Sequence, residues 1–189
     1  MSIIVTPEAG EATGEVAEIY AEDIADQGYV PAHTRVMAVN PEAYRAWENL
    51  IGAIARPMDQ RRYELITLAA AGALRSKACR LAHGKKSLQF ISEDELVRIA
   101  RDYRDAGLSA AEVAMIEFAE KLSTESAAMT DADSMSLRDH GFTDREIVDI
   151  ALAAAARNYY SRALHALGVE VDVPPGLSEP LRSALVDTL

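Results

Sequence analysis

Residues 64–83 read ELITLAAAGALRSKACRLAH, and this stretch holds the single cysteine of the chain. Glu64, Ser76, Cys79 and His83 fall in it at offsets of 0, 12, 15 and 19. Ser76, Cys79 and His83 are separated by steps of three and four, so on a helix they share one face. Residues 65–92 contain no Asp or Glu but carry Arg75, Lys77, Arg80, Lys85 and Lys86, five positive charges in a chain of net charge −11. Alanine dominates the stretch and β-branched residues are few, which favours helix. A break is expected near Arg75 and Ser76, with Ser76 as the cap of the second helix. Cys79 then lies in a first turn, where the helix dipole and nearby cations favour an anionic sulfur. His83, one turn on, is placed to bond the sulfur or to pass a proton. A fold-back of the helix pair brings the Glu64 carboxylate to His83 and sets its tautomer.

Outward from this segment the same apolar spacing at i, i+3 and i+4 recurs, and the chain reads as all-α. Helices are expected over residues 15–26, 41–54 with Asn40 as cap, 59–74, 76–90, 92–104, 109–122, 133–140 and 143–167. Ser92, Ser109 and Thr143 each precede a Glu by three residues, the pattern of a capping box. Gly107, Gly141 and Gly168 mark helix ends. The expected organisation is one helical domain over 1–189, with a motif unit at 59–90 and an extended tail at 169–189 carrying Pro174, Pro175 and Pro180. Residues 64–83 also align without gaps on 146–165, matching Glu64 to Glu146, Arg75 to Arg157, Arg80 to Arg162 and His83 to His165. A duplicated helical unit with a second copy at 143–168 is one reading, and chance similarity between two alanine-rich helices is the other.

With 189 residues, 49% hydrophobic and 26% charged, the chain has the make-up of a soluble globular domain. Its acidic balance argues against nucleic acid, which demands clustered positive charge. The amino terminus lacks the basic and apolar regions of a signal peptide, and no apolar run approaches the ~18 residues of a membrane span. One cysteine excludes an intrachain disulfide and suits a reducing cytoplasm. Nothing in the residues requires a metal or other cofactor.

Structural readings stand beside the chemical ones. A lone cysteine often fills core space, Ser76 is explained as a cap, and Glu64 as a solvated helix residue. Arg75, Lys77 and Arg80 then form a solvated face, His33 and His165 are structural, and Tyr159 and Tyr160 pack a core or an interface.

The segment resembles the alkylhydroperoxidase D-like and carboxymuconolactone decarboxylase superfamily, whose hallmark is Glu, eleven residues, then Cys-x-x-Cys-x-x-x-His. Glu64, Ser76, Cys79 and His83 reproduce that register, with Ser76 where the first cysteine belongs. Asn40-Pro41-Glu42 with Trp47, Leu137 to Gly141 with Glu146, and the run Asn158-Tyr-Tyr-Ser-Arg-Ala-Leu extend the likeness over roughly residues 30–170. The resemblance implies an all-helical subunit in trimers or hexamers, and a thiol peroxidase of peroxiredoxin-type, antioxidant activity. In it Cys79 attacks a hydroperoxide, and Glu64 and His83 relay the proton. Ser76 cannot resolve the oxidised sulfur, so an external thiol is the implied reductant. A cofactor-free lactone decarboxylase using Glu64 and His83 on a carboxylated substrate, and a non-catalytic helical oligomer for binding or redox sensing, are the alternatives.

Overall fold

The computed structural model describes residues 3–187; the two residues at each end of the expected domain, including the end of the tail, lie outside the described residues. Ten α-helices make up the architecture, and no strand occurs among the described residues. They are α1 (Gly14–Gln27), α2 (Ala32–Met37), α3 (Pro41–Ala55), α4 (Gln60–Ala73), α5 (Lys77–Ser87), α6 (Glu93–Asp102), α7 (Ala110–Glu125), α8 (Asp131–Asp139), α9 (Asp144–Ala166) and α10 (Glu179–Val186).

The centre is α4. Its nine consecutive residues 63–71 are all buried, the mark of a helix enclosed on every side rather than amphipathic. It packs on α5, α7 and α9. Ala69, Ala70 and Ala71 present small surfaces there, and the apolar core continues through Leu81, Leu96, Met115, Ile116, Ile150 and Leu185. Most sequence signals at the helix starts are realised: Asn40, Asp59 and Ser92 accept from backbone amides of α3, α4 and α6, and complete capping boxes open α7 at Ser109 and α9 at Thr143, whereas the box expected at Ser92 is only half made, its Glu95 carboxylate pairing with Arg61.

The expected break between α4 and α5 is a tight turn. Arg75 adopts a left-handed conformation (φ 57°), while its amide donates to Gly72 O and that of Ser76 to Ala71 O, each at 2.8 Å. These two bonds are the Schellman pattern, with arginine at the position glycine usually takes. The turn sends α5 back along α4.

One helix is added to those expected, and two expectations are corrected. The short helix α2 was not legible, because six residues behind Pro31 are too few to show a period. The second half of the tail is not extended: residues 179–186 form α10, with Leu181 and Leu185 fully buried against α5 and α6. Pro180 stands in the first turn of α10, where a proline costs no hydrogen bond. Ser76 occupies the cap position of α5, but its hydroxyl makes no capping bond.

Candidate active site

The turn at Arg75 brings Glu64 and His83 together. His83 Nδ1 lies 2.8 Å from Glu64 Oε2, and both residues are buried. Glu64 is therefore no solvated helix residue. Burial alone would raise its pKa, but His83, with help from Lys86 and Arg157, more than offsets this and holds it below the ordinary carboxylate value. Burial, reinforced by the Arg157 charge, pushes His83 down to about 4 against the opposing pull of Glu64. At neutral pH the pair is thus a carboxylate accepting the Nδ1–H of a neutral imidazole, which leaves Nε2 as the basic atom.

Cys79 precedes His83 by one turn on the same face of α5 and is 3% exposed. Its sulfur is bonded not by His83 but by two residues of α9: the Ser161 hydroxyl donates at 3.3 Å and Arg157 Nη1 at 3.6 Å. Arg157 is itself buried. Burial disfavours its charge, but the neighbouring Cys79 sulfur and the Tyr63 and Tyr160 hydroxyls more than compensate, so its pKa is raised. The guanidinium lies against the rings of Trp47 and Tyr160, 5.9 and 5.7 Å from their centroids. Trp47 stacks with both Tyr159 and Tyr160, ring centroids 5.4 and 4.9 Å apart. Tyr160 OH meets the Nδ1 of His33 at 3.2 Å, and burial pushes that imidazole down to about 3.

Ser76, three residues before Cys79, is buried with an unpartnered hydroxyl. The basic residues around Cys79 in sequence do not supply its charge partner. Arg80 turns away, donating through Nε to Leu185 O and through Nη2 to Ala100 O, each at 3.1 Å; it is neither a solvated residue nor a neighbour of the sulfur.

The second aligned segment does not reproduce the pair. It is the unbroken helix α9, in which nineteen residues at ~1.5 Å rise set Glu146 and His165 roughly 28 Å apart. Glu146 closes a capping box and accepts from Arg62 at 2.5 Å, and His165 is exposed.

The fold is that of known proteins. A crystal structure described as the alkylhydroperoxidase AhpD core of an uncharacterized peroxidase-related protein from Ralstonia eutropha JMP134 matches with a TM-score of 0.80 at 25% identity, over 98% of this chain and 97% of that one. The chain belongs to the alkylhydroperoxidase D-like superfamily. An uncharacterized peroxidase-related protein from Silicibacter sp. TM1040 is similar to this alkylhydroperoxidase D-like chain with a TM-score of 0.79 at 26% identity, over 90% of this chain and 92% of that one. The debrominase Bmp8, solved as a cysteine-to-alanine variant with 2,3,4-tribromopyrrole, shares the fold with a TM-score of 0.78 at 16% identity over the full length of both chains. No family model matches the chain, and no curated protein matches it.

Set in this alkylhydroperoxidase D-like frame, the four residues singled out in the sequence lie on the α4–α5 hairpin, and α9 adds Arg157 and Ser161. A signal for these two existed. In the internal alignment Ser161 is the counterpart of Cys79 and Arg157 that of Arg75, although the alignment could not show that one segment packs on the other.

Proposed function

We propose that the protein is a thiol-dependent peroxidase that reduces small hydroperoxides through Cys79 and an external thiol. The observation that carries this reading is the polar setting of the sulfur: Cys79 accepts from Arg157 and Ser161 and stands one turn from the Glu64–His83 pair. A cysteine that only fills space is set among apolar atoms, without a buried guanidinium directed at it. The proposed step balances as follows. His83 Nε2 takes the thiol proton, and Glu64 stabilises the imidazolium that results. The thiolate attacks the distal peroxide oxygen, the S–O bond forms as the O–O bond breaks, and His83 returns the proton to the leaving alkoxide. The products are the sulfenic acid and an alcohol. A thiol then condenses with the sulfenic acid, releasing water, and a second thiol reduces the mixed disulfide.

Assembly as a homo-oligomer belongs to the same reading. It is supported by an exposed stripe on α9, where Val148, Leu152 and Tyr159 recur on one face.

The test is hydroperoxide consumption with dithiothreitol as reductant. Cys79→Ser is expected to abolish turnover, and Glu64→Gln and His83→Gln to slow it by about 10²–10⁴-fold. Full activity in Cys79→Ser would exclude the mechanism and redirect attention to lactone acids with Glu64 and His83 as the acid–base pair.

A further inference from the structure

Arg157 brings more donors to the site than the protein supplies acceptors. Its Nη1 faces the Cys79 sulfur at 3.6 Å, while its Nε is fully buried with no partner. Among the described residues that sulfur is the one hydrogen-bond acceptor its guanidinium meets. Arg80, equally buried, has both of its bonds made to main-chain carbonyls. A buried guanidinium is ordinarily matched by a carboxylate or by carbonyls, because leaving its donors unmade is costly. The acid whose field Arg157 feels, Glu64, is engaged by His83. Lys86 adds a second positive charge to the same surroundings and interacts with the Asp23 carboxylate as well. The Trp47 and Tyr160 rings lie over the guanidinium, which leaves its edges as the bonding directions.

We propose that Arg157 makes the surroundings of Cys79 an anion site, binding small organic carboxylates through its free Nε edge beside the sulfur. The inference deepens the peroxidase reading, naming hydroperoxides of organic acids as substrates, yet it is measurable without turnover. Arg157 acts on the sulfur and on the ligand at once, which a purely structural arginine does not.

The experiment compares alkylation of native, full-length protein by iodoacetate and by the neutral iodoacetamide at one pH and ionic strength, read by intact mass. An ordinary thiol favours the neutral reagent; here iodoacetate is expected to react faster by about tenfold, the low end of what electrostatic steering supplies. Arg157→Gln is expected to lose that preference, and Arg157→Lys to keep part of it. Benzoate is expected to protect Cys79 from iodoacetamide, and benzamide not to. Should Arg157→Gln fail to fold, the benzoate–benzamide contrast on wild type decides alone. A wild-type preference for iodoacetamide, equal protection by the acid and the amide, or no labelling by either reagent overturns the proposal. An intact iodoacetate preference in a protein that hydroperoxide does not oxidise would retire the peroxidase reading and leave the anion site standing.

Discussion

Ser76 is the residue at which this chain leaves the dithiol pattern, and its surroundings show what the change does. The hydroxyl is buried, caps nothing and stands three residues before Cys79 in the first turn of α5. Ser76→Cys places two thiols at the Cys-x-x-Cys spacing. After one equivalent of hydrogen peroxide this variant is expected to lose two hydrogens as an intrachain disulfide and to escape a sulfenic-acid trap. Trap labelling of Ser76→Cys at the wild-type level would show that the two positions cannot meet. Glu64, Cys79 and His83 were legible because a motif register and helical spacing locate residues near in sequence. Arg157 and Ser161 lie 78 and 82 residues from Cys79, and nothing local announces a contact made by packing. The local charge run misled for the same reason: Arg80 was near in sequence and is spent on α10.

Among the elements, the α4–α5 hairpin carries the site, and α10 props it from behind. Gly84 on α5 lies so close to α10 that a Cβ there would stand 2.4 Å from Leu185 Cδ1 and 3.1 Å from its Cδ2. Leu185 is fully buried and has little room to yield. Gly84→Ala is therefore expected to destabilise the fold by about 1–3 kcal/mol through overpacking, measured by denaturant unfolding; a stability equal to wild type would mean that α10 docks loosely. Helix starts were readable because capping chemistry is local, as Asn40, Asp59, Ser109 and Thr143 show. The helix α10 was misread because Pro180 resembles a breaker unless it is recognised as a first-turn residue. The turn at Arg75 was placed correctly from the Ser76 signal, but its left-handed backbone was hidden behind a residue that seldom adopts it.

Over the whole molecule, two imidazoles, His83 buried and His33 half-buried, set the response to acid. His83 falls from 6.5 to about 4 on folding and His33 to about 3, in both cases chiefly through burial. Between those values and 6.5 the unfolded chain binds protons that the folded one does not, so stability is lost as pH falls through this window. Each histidine contributes up to about 1.4 kcal/mol per pH unit. Glu64, held low, adds its loss only below its ordinary value. Thermal melts are expected to shift steadily downward from pH 7 to 4.5, and a flat profile would show the imidazoles to be solvated. The all-α class was legible from periodicity alone, since no described residue enters a strand. No helix of the described residues is long and apolar enough to cross a membrane. The enclosure of α4 by α5, α7 and α9 was not legible, because burial on every side leaves no periodic stripe to read.

The most direct test of Cys79 as a peroxidatic thiol is intact-mass spectrometry of the native protein after brief, stoichiometric hydrogen peroxide, with a sulfenic-acid trap and a Cys79→Ser control. Rapid trapping that depends on Cys79 and is reversed by a small thiol is the predicted result. Wild-type protein that stays unmodified under those conditions would contradict it.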